Sequence, residues 1–174
     1  RDRCGKRVLV FGEYSKDPEG KPLDEPVKAL ALIVLSNPIR PQARETFEYF
    51  EKQGVRIKVI SGDNPVAVRG VAKEAGIEGA EKCIDTSKLS DEELKEAALN
   101  CNIFGRVQPK QKKIIIKALQ EAGNVVAMTG DGVNDVLALK TADCSVAMAQ
   151  GSDAAANASQ IVPVSYTHLR AHET

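Results

Sequence analysis

Residues 125–135 read Val-Val-Ala-Met-Thr-Gly-Asp-Gly-Val-Asn-Asp, a short apolar run that stops at a turn with two glycines. The run, Val125 to Met128, has the pattern of a buried strand, and Val133 to Leu139 has that of a helix start. A strand, a glycine turn and a helix in immediate succession form the repeating unit of an open α/β sheet. The turn then lies just beyond the carboxyl end of a strand, where such sheets bind their ligands. Asp131 and Asp135 fall there four residues apart, with Asn134 between them. Two like charges held that close need a counter-charge, and hard oxygen ligands beside a phosphate site suit Mg²⁺. Taken alone, the same residues also fit a polar loop with a solvated helix start.

Two further segments bear on that choice. Ile57 to Ile60 is a second apolar strand, running into Ser61-Gly62-Asp63-Asn64-Pro65. A hydroxyl beside a glycine at a strand end offers side-chain and backbone donors to a phosphate oxygen. Pro109-Lys110-Gln111-Lys112 places a proline at the first turn of a helix, which continues with Ile114, Ile115, Ala118, Leu119 and Ala122 on one stripe. A cation in the first turn opposes the helix dipole, so Lys112 has no local structural benefit there. It is either one exposed member of a basic cluster or a charge directed at phosphate.

In this order, the three segments resemble the phosphoryl-transfer core of the haloacid dehalogenase-like superfamily. Within it they resemble the phosphorylation domain of P-type cation-transporting ATPases. Residues 128–135 match that family's Met-Thr-Gly-Asp-Gly-Val-Asn-Asp signature in full. Ser61-Gly62-Asp63 matches its Thr-Gly-Asp element with the hydroxyl kept, and Pro109 to Lys112 matches its Pro-x-x-Lys element. Asn37-Pro38-Ile39-Arg40 is similar to a hinge written Asp-Pro-x-Arg, here with Asn for Asp. The resemblance implies Mg²⁺ as cofactor, ATP as substrate and a transported cation as cargo of the whole protein. It assigns Ser61, Gly62, Asp63, Lys112, Asn134 and Asp135 to catalysis, and Asp131 and Asp135 to the metal. Arg7 and Arg40 are assigned to nucleotide binding. Such chemistry is mostly positioning plus neutralisation of charge on phosphoryl oxygens.

One departure is large. The family forms an aspartyl-phosphate on the first residue of an Asp-Lys-Thr-Gly-Thr segment, and none of the ten aspartates here is followed by that string. Asp85-Thr86-Ser87-Lys88 has neither its order nor its glycine. The chain is therefore expected to hold half of an active site and to be inactive alone. Three functions remain open: a piece of a P-type cation pump, a soluble phosphatase of the same superfamily cut at its start, and a binding module without the nucleophile. The full signature at residues 128–135 and residues 1–34 favour the pump. Residues 147–155 resemble a bacterial branch of cation pumps related to calcium transporters.

Formal net charge is zero with 24 acidic and 24 basic residues, so nothing favours nucleic acid or an acidic membrane surface. The longest apolar run, Ala29 to Leu35, has seven residues, against about 20 for a membrane helix. Transport helices are thus expected elsewhere, with this part on the cytoplasmic face of a bacterial membrane and soluble by itself. Cys4, Cys83, Cys101 and Cys144 lack metal-ligand spacing and read as reduced thiols. Residues 1–7 are too charged to open a signal peptide.

Along the chain, strands are expected at Arg7 to Phe11, Ala29 to Leu35 (buried), 55–60, near Cys83, Asn102 to Phe104, 125–128, Cys144 to Met148 and Ile161 to Val164. Helices are expected at Pro41 to Gln53 with Ala43, Phe47 and Phe50 on one face, at 65–75, Asp91 to Asn100, 109–122 and 133–140, and after Ser152. This alternation predicts an α/β fold, a doubly wound parallel sheet of the Rossmann type, lacking its N-terminal strand. Residues 1–34 resemble the tail of a nucleotide-binding domain with its return strand, and 35–164 the phosphorylation domain. Residues 165–174, which hold both histidines, read as a non-native tail.

Overall fold

Two antiparallel strands, β1 (Arg7–Glu13) and β2 (Lys28–Leu35), open the fold and, among the described residues, pair only with each other. The computed structural model of the chain describes residues 7–16, 20, 22–35 and 38–163. Strand β2 corrects one expectation, since all eight of its residues are exposed rather than buried. A continuous apolar run is buried only where layers cover both faces of its sheet. Here a two-stranded ribbon leaves both faces open, and Val10, Leu32 and Val34 are each more than half exposed.

The rest of the chain alternates helices with parallel strands. Helix α1 (Ala43–Lys52) ends at Gly54, whose φ of +77° suits glycine, and is followed by β3 (Val59–Ile60). Helix α2 (Pro65–Glu74) starts on Asn64, whose side chain accepts the N–H of Val66 at 2.9 Å. Strand β4 (Cys83–Asp85) leads to α3 (Asp91–Asn100), which opens on a reciprocal box between Ser90 and Glu93. Then come β5 (Ile103–Gly105), α4 (Pro109–Glu121) and β6 (Ala127–Gly130). A single 3₁₀ turn at Val133–Asp135 passes into the short α5 (Val136–Leu139), where one continuous helix was expected. Strand β7 (Cys144–Ala147) and α6 (Asp153–Ala158) close the series. Ile161 adds one parallel bridge to Val146 instead of a strand, while Val164 and the 165–174 tail lie outside the described residues.

The parallel strands form two groups. One has the order β3-β5-β4 and the other pairs β6 with β7. Helices cover both faces, as the side chains of β5 demonstrate. Ile103 is fully buried against α2 in a cluster with Val68 and Ala72, with Phe47 of α1 at its margin. Phe104, also fully buried, points the other way into a core with Leu94 of α3 and Ile115 and Leu119 of α4. Alternate residues of a strand face opposite layers, so this is a doubly wound α/β arrangement. The Phe104 core also takes in Met128 of β6 and Ala147 of β7, so one apolar layer runs beneath both strand groups. Each large side chain buried in it contributes roughly 1.5–3 kcal/mol. Helix α1 sits less deeply than expected, with no fully buried residue and with Phe50 43% exposed. Among the described residues, no helix is long and apolar enough to cross a membrane.

Candidate functional site

Ser61 leaves the carboxyl end of β3, and its neighbours lock it in place. Its N–H donates to the Phe104 carbonyl at 3.0 Å, and its own carbonyl accepts from Val107 N–H at 3.0 Å. The Asp63 carbonyl accepts from Arg106 N–H at 2.8 Å. Arg106 holds a φ of 56°, rare for a side chain this large, and its guanidinium pairs with Asp85 at 2.9 Å. Gly105 lets the two loops meet, because a Cβ there would lie 2.5 Å from Pro65 Cα. Within the loop, Asp63 N–H donates to Ser61 Oγ at 3.1 Å. Ser61 Oγ in turn donates to Asp63 Oδ2 at 3.4 Å.

Lys112 and Asp135 make the shortest charged contact of the site. Pro109 and a hydrogen bond from Gln108 N–H to Gln111 Oε1 at 3.0 Å fix the start of α4 and send Lys112 toward the end of β6. Its Nζ donates to Asp135 Oδ1 at 2.6 Å, with the two side chains 11% and 8% exposed. The other oxygen of Asp135 accepts the N–H groups of Gly132 at 3.2 Å and Asp131 at 3.3 Å. Burial pushes the Asp135 carboxyl upward, but the Lys112 ammonium and the two amides outweigh it and hold it below its ordinary value. Gly130 is required by the same contact, since a Cβ there would lie 2.6 Å from Asp135 Cβ. Asp135 thereby ties the helix bearing Lys112 to the turn bearing Asp131.

These elements surround an open cleft of about 430 Å³ between the end of β3 and the end of β6. Ser61, Gly62, Asp63, Lys112, Asp131 and Asp135 all line it, although Asp63 and Asp135 are 72 positions apart. Asn134 is exposed on the 3₁₀ turn and is not among the lining residues. Arg40 is exposed before α1 and also lies outside the cleft, while the Arg7 side chain and Asn37 fall outside the described residues. Thr129 and Met148 line the cleft without having been singled out in sequence. Their position was the available signal, at or just past the ends of β6 and β7.

The donor set can be tested against a divalent cation. Among the described residues, no three His, Cys, Asp or Glu side chains gather as a metal cage. Asp131 is exposed at the cleft, whereas both oxygens of Asp135 already accept hydrogen bonds. Two exposed carboxylates at the cleft, Asp63 and Asp131, are a poor site for Zn²⁺ but fit Mg²⁺, which keeps several waters and is held by one or two carboxylates plus substrate phosphates.

The chain belongs to the haloacid dehalogenase-like hydrolase family, which residues 6–143 match. Its relatives include cation-transporting ATPases. It is 47% identical over 162 residues to "Probable cation-transporting ATPase exp7" of Streptococcus pneumoniae serotype 4, a match covering 91% of this chain and 21% of that protein. It is 46% identical over 160 residues to the calcium-transporting ATPase CtpE of Mycolicibacterium smegmatis, covering 91% of this chain and 20% of the other. The chain thus spans about a fifth of the length of these relatives. Among solved structures, the catalytic domain of the CPx-ATPase CopB-B superposes with a TM-score of 0.58 at 30% identity, over 78% of this chain and 45% of that one. A zinc-transporting PIB-type ATPase shares the fold with a TM-score of 0.64 at 22% identity, over 92% and 21%.

Proposed function

We propose that this chain is the magnesium- and phosphate-binding half of the phosphorylation site of an ATP-driven P-type cation pump. The observation that carries the proposal is the convergence of Ser61, Lys112 and Asp131 on one cleft between two unjoined groups of parallel strands. Its chemistry is that of a phosphoryl cradle. Ser61 and Gly62 line the space where phosphoryl oxygens would lie, and Lys112 brings a positive charge anchored by Asp135. Asp131 would hold Mg²⁺, which when bound neutralises charge on those oxygens. Asn134 and Asp135 would support that ligand through the turn they share with it.

The missing nucleophile has an evident place in this scheme. In β3 the N–H groups of Val59 and Ser61 bond to β5, so the alternating amide of Ile60 turns to the opposite edge. Just before β6 the Val126 carbonyl accepts from Cys144 of β7, and at its end the Gly130 carbonyl accepts from Met148, which turns Thr129 to its free edge. Ile60 and Thr129 both line the cleft. A strand carrying the phosphorylated aspartate would fit between these edges and present its carboxylate beside Ser61 and Asp131. In this scheme residues 1–34 belong to the nucleotide-binding unit, with Arg7 and Arg40 acting on ATP, and 35–164 form the phosphorylation unit. The cation path lies in membrane helices of the longer protein, with this unit on the cytoplasmic face.

The test is the level of phosphoenzyme in the full-length pump against Mg²⁺ and ATP concentration. Asp131→Asn keeps volume and a carbonyl oxygen but loses charge, so it is expected to abolish Mg²⁺-dependent phosphorylation. Arg7→Ala is expected to raise the ATP requirement more than it lowers the maximal level. An unchanged Mg²⁺ dependence in Asp131→Asn removes Asp131 from the metal site.

A further inference from the structure

Asp131 is held by a loop that lies outside the signature containing it. Beyond β7 the chain continues the strand ladder for one step, with Met148 N–H donating to the Gly130 carbonyl at 3.0 Å. It then turns back on itself, Gly151 N–H donating to the Met148 carbonyl at 2.9 Å. The turn delivers Ser152 N–H to the carbonyl of Asp131 at 2.7 Å, at the short end of the normal range. Gly151 makes that approach possible. A Cβ there would meet the Asp131 carbonyl oxygen at 2.8 Å, the Met148 carbonyl oxygen at 3.0 Å and Asp131 Cα at 3.1 Å. All three are backbone atoms, which cannot swing aside as the end of a side chain could.

We propose that Gly151 and the backbone N–H of Ser152 are positioning residues for Asp131, setting where its carboxylate stands in the cleft and hence how tightly the cleft holds a divalent cation. The proposal rests on Asp131 being the metal ligand, as argued above. The mechanism is mechanical. Asp131 is exposed, and the described contacts from outside its own turn that hold its backbone are this amide and the packing of Gly151. Groups that orient a metal ligand without touching the metal commonly change affinity 10- to 100-fold when removed.

Ser152 also has a purely structural role, because its Oγ accepts Ala155 N–H at 3.3 Å and caps α6. Two substitutions separate the roles. Ser152→Ala removes the cap and keeps the N–H. Ser152→Pro removes both, and the residue's φ of −73° is one proline adopts without strain. Mn²⁺ serves as the probe, its affinity read from paramagnetic broadening of the amide signals of residues 130–135 in the whole 174-residue chain. Ser152→Ala is expected to bind Mn²⁺ within about twofold of the unsubstituted chain, and Ser152→Pro about tenfold more weakly. Gly151→Ala, which leaves cap and N–H in place, is expected to weaken binding as Ser152→Pro does, and it decides the matter if the proline variant does not fold. Equal affinities across Ser152→Ala, Ser152→Pro and Gly151→Ala overturn the positioning role. A different result marks failure of the underlying site: broadening near Asp131 that is absent in the unsubstituted chain, or undiminished by Asp131→Asn.

Discussion

Replacing Asp135 with alanine removes three hydrogen bonds at once, those from Lys112 at 2.6 Å, Gly132 at 3.2 Å and Asp131 at 3.3 Å. It also strands an ammonium whose side chain is only 11% exposed. Breaking a buried pair this way costs about 3–5 kcal/mol, most of it the penalty of the unpaired charge left behind. Lys112→Met is milder, because the carboxylate keeps its two amide donors and the methionine fills the volume of the lysine stem. The loss there is about 1.5–3 kcal/mol, the worth of a hydrogen bond between charged groups. The double variant leaves no orphaned charge and should be less destabilised than the sum of the two by about 1.5 kcal/mol or more. Urea denaturation of the four proteins measures the cycle, and thermal unfolding should place Asp135→Ala on the order of 10 °C below the unsubstituted chain. Additivity within about 0.5 kcal/mol, or a larger loss for Lys112→Met than for Asp135→Ala, would refute the clasp.

Acid should narrow the same difference. The folded-state pKa of Asp135 lies below its ordinary 3.8, so its contribution is complete above that value and is lost as pH falls through the lower folded one. The stabilities of the unsubstituted chain and Asp135→Ala are therefore expected to converge as pH drops below 3.8, as read by urea midpoints across an acid series. Gly105→Ala forces a methyl to within 2.6 Å of three Pro65 atoms, and should cost about 1–3 kcal/mol while shifting the Ser61 amide resonance. A loss below about 0.5 kcal/mol would mean that the two loops are not in firm contact. The chain alone should not hydrolyse p-nitrophenyl phosphate, and Mg²⁺-dependent turnover abolished by Asp131→Ala would place a nucleophile among the aspartates present.

The elements that could be read from sequence are those written in local chemistry. Ser90 with Glu93, Asn64 ahead of Pro65, Pro109, and the left-handed glycines at 54, 76 and 123 each fix an end of a helix within a few residues. What was misjudged depends on distant partners. The Ala29 to Leu35 run is apolar enough for a core, yet burial depends on what lies over it, and among the described residues only β1 pairs with it. The run 55–60 carries strand chemistry throughout, but only Val59 and Ile60 find a paired neighbour. At the site, the resemblance assigned Asp131 to the metal and Asp135 to both the metal and catalysis. The structure differentiates them, since the first is open to the cleft and the second is saturated by Lys112 and two amides. A pairing across 23 positions leaves no local trace.

The parting of the strands between β3 and β6 has a consequence for hydrogen exchange. A sheet normally protects its central amides from both sides, and those amides exchange last. Here the middle of the fold has two inner edges bonded on one side only, so Ile60 and Thr129, close to the deepest core, should exchange on the timescale of surface groups. Ser61, one residue further along, donates to Phe104 and should be slow. Alternating fast and slow amides along a short central strand would record, residue by residue, which edge of each strand group is unpaired among the described residues.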